Sequence, residues 1–409
     1  MAANKRMSQS FTIDSEPPQV LAEPDDAEQW VGDWAKVLAA DLIDSRIVEV
    51  DSEVSVEDAC EILLSEKIFC LAVKATDPAK STEPYSGLFD FADVNAFLTL
   101  AATRHTLLRD DLDNPRVDAI FSAARSGHVA VRLVSNLSEK NPLEILPESA
   151  TLVSLLEVFS RGAHRVLVQS PNGSFLGIVS DRRLLTWFAA YEPIASFLET
   201  PLSSLRLPSL TLFSAVVTAT SNSTVLDAMR LMSEEGVSSV AVIDDDSNVL
   251  LSAVSVTDVG RIVVPSQTNE ILSTPLNQFV ALIKAPDGST DGADRYPVYA
   301  VSPTSLLSFT IQKLLATNSH RLFITHDSTT SGSMSPILPS SRIPGNLTGL
   351  VSVVDCLSLF ARFAHLDVDP ARMQRHRRAS SASSNSAHSD SRSSSRNGVS
   401  ITRTPSLRT

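Results

Sequence analysis

Ser55-Val56-Glu57-Asp58-Ala59-Cys60-Glu61-Ile62-Leu63-Leu64 opens on a hydroxyl and continues with apolar residues at helical spacing. Ser55 suits a helix N-cap, and Asp58 three residues on suits the reciprocal position of a capping box. Val56, Ala59, Ile62 and Leu63 fall on one face. A short apolar run, Phe69 to Val73, then reads as a strand. After an insert carrying Pro78 and Pro84, a second run spans Gly87 to Val94. A further helix follows, with Val94, Phe97, Leu98 and Ala101 on one side.

The same grammar returns three more times. In the second copy Leu152, Leu155, Leu156 and Phe159 form the helix face. Val166-Leu167-Val168 is the first strand, Pro171-Asn172-Gly173 the turn and Gly177-Ile178-Val179-Ser180 the second strand. In the third, Val225, Ala228, Met229 and Met232 face inward. Strands at Ser239 to Ile243 and Val249 to Val254 flank a turn at Asp244 to Asn248. In the fourth, Leu307, Ile311, Leu314 and Leu315 precede strands at Leu322 to Ile324 and Leu347 to Val351. Each copy is about 60 residues, marginal as a lone unit. Its helices cover one face of its sheet and leave the other needing a neighbour, so four copies predict two pairs.

Repeat 1 is expected over 30–104, repeat 2 over 141–190, repeat 3 over 196–264 and repeat 4 over 292–365. Residues 1–29 and 366–409 read as disordered, and the Ser/Pro-rich insert 327–346 as a mobile loop. Trp30, Trp34, Val37, Leu38 and Ile43 form an apolar stripe that opens the fold.

The bulk numbers fit an intracellular globular protein. Hydrophobic residues are 43% of the 409 and charged residues 20%. There is no apolar run of transmembrane length and no secretory leader, which places the chain in the cytoplasm, with the nucleus as a second compartment. Cys60, Cys70 and Cys356 give no disulfide framework. The formal charge is −13, yet residues 370–409 carry eight Arg against one Asp. The remainder is therefore acidic, at −20, which argues against nucleic acid as a partner. No phosphate-loop, dinucleotide, zinc-protease or nucleophile-elbow motif is present, and the eight His lack metal spacing. No enzyme, membrane span or metal site is expected.

A polar signature closes the second strand of each copy. It is Ser252-Ala253-Val254-Ser255-Val256-Thr257-Asp258 in the third and Gly349-Leu350-Val351-Ser352-Val353-Val354-Asp355 in the fourth. Hydroxyl and carboxylate three residues apart at a strand-to-helix junction form an N-cap. The same pair can serve a ligand: the carboxylate accepts from a ribose diol, and the helix N-terminus favours anionic groups.

Four helix-strand-strand-helix units ending in Gly-x-x-Ser/Thr-x-x-Asp resemble cystathionine-β-synthase (CBS) domains. The resemblance implies an α/β (α+β) architecture of tandem CBS repeats: four β-α-β-β-α units in two pairs, forming a pseudo-symmetric disc that binds adenine nucleotides. AMP, ADP or ATP is thus the expected regulatory ligand, with no cofactor required. Ser255, Asp258, Ser352, Asp355 and Asp93 are the ribose and helix-terminus candidates. Repeat 1 has Asp90 where the hydroxyl belongs. Repeat 2 has Ser180 but Arg183 for the carboxylate, and Arg cannot accept from ribose, so its site is degenerate. The order Asp, Arg, Asp, Asp is similar to the γ subunit of AMP-activated protein kinase. His164-Arg165 and His320-Arg321 match His-Arg pairs that reach nucleotide phosphates there, chemistry a forked guanidinium suits.

Phe89-Asp90-Phe91-Ala92-Asp93-Val94-Asn95-Ala96-Phe97-Leu98 resembles the first-repeat segment of a fungal family of four-CBS-repeat proteins. That likeness implies an inhibitor of type 2A-like protein phosphatases in nutrient, stress or cell-cycle signalling. A γ-like kinase subunit is the alternative. In the Arg/Ser-rich tail, Arg377-Arg378-Ala379-Ser380 is a basophilic kinase pattern, and Ser380 is where regulation is expected. Ser395, Thr404 and Ser406 are weaker phosphorylation candidates in Arg-rich contexts where matches come cheaply.

Overall fold

The computed structural model describes residues 26–76, 83–103, 114–205, 207–210, 216–247, 249–264, 269–284, 299–325 and 347–366. The insert 327–346, the phosphorylation candidates Ser380, Ser395, Thr404 and Ser406, and residues 1–25 lie outside them.

Helix α1 is Ala27–Trp34. It starts inside the stretch expected to lie outside the fold, because Ala27, Trp30 and Trp34 are buried in the main core. Repeat 1 then runs β1 (Glu49–Val50), α2 (Val56–Ser65), β2 (Cys70–Lys74), β3 (Tyr85–Asp90) and α3 (Phe91–Thr103). Ser55 caps α2 by accepting from the Asp58 N–H at 3.0 Å. Helix α4, Pro115–Ser126, fills a stretch for which the sequence reading gave no element. Repeat 2 is β4 (Ile145–Pro147), α5 (Leu152–Ser160), β5 (Arg165–Gln169), β6 (Phe175–Ser180) and α6 (Asp181–Ala190).

Repeat 3 contains β7 (Thr218–Thr220), α7 (Val225–Glu234), β8 (Ser239–Ile243) and β9 (Leu250–Ser255). Its closing helix is short: one α-turn, Val256–Asp258, continues as a π-helical turn, Val259–Val263. Helix α8 is Leu276–Lys284. Repeat 4 is β10 (Ala300–Val301), α9 (Leu307–Ala316), β11 (Arg321–Thr325), β12 (Leu347–Ser352) and α10 (Val353–Phe363).

Among the described residues the strands form four three-stranded sheets of one topology. In each, the first strand lies parallel to the second and the second antiparallel to the third. A shift of register also falls at the same place in all four antiparallel pairs, beside Lys74, Gln169, Ile243 and Thr325.

The sheet faces pair repeat 1 with 2 and repeat 3 with 4. Cys70, Ala72 and Leu88 meet Leu167 and Ile178. Ala241, Leu250 and Ala253 meet Phe323, Leu347 and Leu350. The helix faces close the other two sides. Leu155, Phe159 and Phe188 of repeat 2 share a core with Ile311, Leu314 and Phe360 of repeat 4. The Phe188 and Phe360 rings stack there at 4.1 Å. Repeat 1 meets repeat 3 where Asn95 Nδ2 donates to the Met229 carbonyl at 3.1 Å. Phe91 lies so close to Gly260 that a β-carbon would sit 2.1 Å from its ring. Each repeat thus touches one neighbour through its sheet and another through its helices.

The segments leading into the repeats are exchanged within each pair. Ala130, ahead of repeat 2, bridges Ser55 of repeat 1, and Leu38, ahead of repeat 1, bridges Thr151 of repeat 2. Pro275 and Pro201 do the same for Thr224 of repeat 3 and Leu306 of repeat 4. The partner helix starts are satisfied in the process: Val56 N–H donates to the Val129 carbonyl and Leu152 N–H to the Val37 carbonyl.

Candidate ligand clefts and the central cavities

All four strand-to-helix junctions are capped. Ser180, Ser255 and Ser352 accept from the N–H of Arg183, Asp258 and Asp355 at 3.1, 3.3 and 3.1 Å. In repeat 1 the carboxylate of Asp90 takes that role, accepting from the Ala92 and Asp93 N–H groups at 2.8 and 3.3 Å. Asp258 and Asp355 complete capping boxes: each Oδ2 accepts from the serine N–H at 2.8 Å and its hydroxyl at 2.6 Å.

The exchanged lead-ins then decide which junctions face open space. Asp93 is fully buried. It accepts from the Ser138 N–H at 2.9 Å and hydroxyl at 2.7 Å, and from the Asn136 N–H at 3.2 Å. Asp355 is equally buried, and its Oδ1 accepts from Ser209 at 2.9 Å. Both were expected to receive a ribose. In the structure the chain's own donors reach both carboxylates. At the degenerate site Ser180 donates instead to Asp44 Oδ2.

The signature glycines show the same filling. A β-carbon on Gly87 would lie 2.7 Å from Ser135 Oγ, on Gly177 2.4 Å from Ile43 Cγ2, and on Gly349 2.0 Å from the Leu210 carbonyl oxygen. In three repeats the glycine therefore gives room to the chain itself. Repeat 3 has Ser252 at that position. Its Asp258 lines a cavity, and among the described residues no donor reaches its Oδ1.

Burial raises the Asp258 and Asp355 carboxyls against the hydrogen bonds of their serines. Burial, with the Asp90 carboxylate next to it, pushes Asp93 up to about 7.

The cavity beside Asp258 gathers residues of all four repeats: Asp90, His164, Arg165, Arg261, His320 and Arg321 among them. A second cavity lies against repeat 2 and is lined by Arg46, Lys67, Arg182 and Arg183. His164, Arg165 and His320 line both. The two His-Arg pairs, far apart in sequence, thus meet at the centre of the disc. Arg165 Nη1 lies 3.4 Å from Asp90 Oδ2, and Arg321 Nη2 reaches Ser238 Oγ at 3.4 Å. The His164 and His320 rings are 4.5 Å apart. Their Nδ1 atoms stand 2.8 and 3.7 Å from Asp181 Oδ2. Burial and the neighbouring His320 hold the His164 imidazole below its usual range. Burial works to raise Asp181, but the two histidines outweigh it and keep the carboxyl well below the usual range.

The sequence reading named the His-Arg pairs, Ser255 and Asp258, and these line one cavity. It missed Asp181, Arg261 and the covering residues Asp44, Ser138 and Ser209. Asp181 carried a signal, since it follows Ser180 at the same junction as the other motif residues. The covering residues lie in segments without periodicity. No helix among the described residues is long and apolar enough to cross a membrane.

The repeated β-α-β-β-α unit is that of a CBS-domain protein, and residues 134–190 and 213–264 match the CBS domain family. The chain is 30% identical to protein sds23 of Aspergillus niger over 91% of its own length and 80% of that protein's. It is 33% identical to SDS23 of Yarrowia lipolytica over 83% of its length and 69% of that protein's. The chain belongs to the Sds23 family. Among solved structures, protein MJ1225 of Methanocaldococcus jannaschii shares the fold with a TM-score of 0.55 at 14% identity. That likeness covers 79% of this chain and all of the other.

Proposed function

We propose that this chain is a non-catalytic regulator that binds an adenine nucleotide and inhibits a type 2A-like protein phosphatase. The observation that carries the nucleotide reading is the convergence of Ser255, Asp258, Arg165 and Arg321 on one cavity. In this reading Asp258 Oδ1 accepts from a ribose diol at the rim of repeat 3. Arg165, Arg321 and Arg261 supply donors and positive charge for phosphate oxygens. Only repeat 3 offers such a junction among the described residues, so the ligand count is one per chain. The nucleotide acts by bracing the meeting point of four repeats, and the braced and unbraced discs differ in affinity for the phosphatase.

The phosphatase reading rests on the resemblance of the Phe89–Leu98 segment and on membership of the Sds23 family. The test is affinity capture from native extract with and without AMP or ATP, followed by a phosphatase assay. Recovery and inhibition of a type 2A-like phosphatase supports the reading, and a chain that neither binds nor inhibits one sinks it.

The paired His-Arg dipeptides at the disc centre favour a second reading, a γ-like sensing subunit of a kinase complex. Recovery of a kinase and its scaffold subunit in the same capture, without phosphatase, selects it.

A further inference from the structure

His164 and His320, expected on nucleotide phosphates, form a cluster with Asp181, a residue to which the nucleotide reading gives no role. His164 stands just before β5, Asp181 opens α6 and His320 stands just before β11. Asp181 Oδ2 lies 2.8 Å from His164 Nδ1 and 3.7 Å from His320 Nδ1, and each of the three side chains offers one ligand atom within 4.8 Å of the others'. The imidazoles, tilted 52° to each other, turn the same nitrogen toward the same oxygen. The Asp181 side chain is 1% exposed, that of His164 17% and that of His320 31%.

A hydrogen bond explains half of this arrangement. His164 Nδ1 bonds to Asp181 at 2.8 Å. His320 Nδ1 is buried, stands 3.7 Å from the carboxylate, beyond hydrogen-bond distance, and has no hydrogen-bond partner among the described residues. A buried imidazole nitrogen left without a partner is costly. An ion between the three groups would satisfy all of them.

Two imidazole nitrogens and one carboxylate oxygen are the donor set of borderline transition metals, whereas Mg²⁺ and Ca²⁺ take oxygen ligands. On a tetrahedral zinc ion with bonds of about 2.0–2.2 Å, two ligand atoms stand roughly 3.3–3.5 Å apart. The observed 2.8 and 3.7 Å straddle that separation. The nearby cationic residues do not forbid the ion. Arg165 is paired with Asp90, and Arg321 Nη2 is directed to Ser238. We propose that His164, Asp181 and His320 bind one divalent transition-metal ion of the zinc class, cross-linking repeats 2 and 4 at the disc centre. Its fourth position faces the cavities and takes water or an anionic oxygen.

The site goes beyond the nucleotide reading and does not rest on it. The test is therefore run without nucleotide. The full-length chain is stripped with a chelator and titrated with Co²⁺, then with Zn²⁺ in competition. The expected result is one tight Co²⁺ per chain with the visible band of a tetrahedral ion, displaced by Zn²⁺. His320→Ala is expected to weaken binding by more than about 100-fold, since even outer-shell partners of metal ligands cost 10–100-fold. His320→Cys, which restores a zinc ligand, recovers it. His320 is the most exposed of the three, and circular dichroism of both variants checks the fold. Absence of the tetrahedral band, or equal binding by wild type and a folded His320→Ala, overturns the site.

Discussion

Ser209 donates its hydroxyl to Asp355 Oδ1 at 2.9 Å, so a residue of the segment ahead of repeat 3 completes the helix start of repeat 4. Ser209→Ala leaves that buried carboxylate short of one donor. The loss costs about 1–3 kcal/mol. Chemical denaturation is expected to show a lower midpoint with an unchanged slope.

Asp258 and Asp355 carry the same motif and differ in what covers them. Asp258→Ala is expected to weaken nucleotide binding by more than tenfold in calorimetry. Asp355→Ala is expected to lower stability while changing affinity by less than about twofold in the protein that remains folded. Each factor of ten corresponds to about 1.4 kcal/mol. Equal loss of affinity in both variants would mean that the covered cleft opens to ligand.

Gly349 sits against the backbone of Ser209 and Leu210. Gly349→Ala forces that segment away, at about 1–3 kcal/mol for overpacking. Limited proteolysis is expected to find new cleavage near Leu205 to Leu210. Gly32→Ala is the contrast: Gly32 lies within α1 and a β-carbon there meets nothing within 4 Å. That substitution is expected to stabilise by about 0.5–1 kcal/mol.

Asp93, pushed up to about 7 by burial and the Asp90 carboxylate, gives a signed pH dependence. The folded chain holds this proton more tightly than the unfolded chain, whose Asp titrates near 3.9. Between those two values the folded state binds more protons, so the contribution to stability falls as pH rises and flattens above 7. The slope is at most about 1.4 kcal/mol per pH unit. Stability of wild type minus that of Asp93→Asn, followed from pH 4 to 8, is expected to fall and then level. A difference that rises over this window contradicts it.

Much of the architecture was legible because each repeat states it locally. Val225, Ala228, Met229 and Met232 announce the buried face of α7, and all four are buried. Four copies of one grammar turned weak local signals into one strong pattern. Helix α4 escaped notice although Asn114 caps it, Pro115 opens it and Gly127 ends it in the left-handed conformation. Its isolation between two repeats hid signals that were present.

The site was less legible because the deciding contacts are remote. Ser352 and Asp355 match the ligand motif as well as Ser255 and Asp258 do. What separates them is Ser209, in a segment with no periodicity to mark its destination. The His164–Asp181–His320 cluster is invisible to spacing rules for a related reason. Its members come from two repeats, and only the shared core of repeats 2 and 4 brings them together.

Helix α1 packs Trp30 against Phe363 at 5.7 Å and Trp34 against Phe188 and Phe360. The first described helix of the chain therefore rests on the last. A ribosome delivers the two ends in order, so the tryptophans emerge long before Phe360 and Phe363 exist to cover them. Until α10 emerges, the tryptophans have the repeat 2 side of their core, Phe188 included, but not its repeat 4 side. A stop codon shortly before α10 is therefore expected to expose apolar surface at the other end of the chain, on Trp30 and Trp34, as well as in repeat 4.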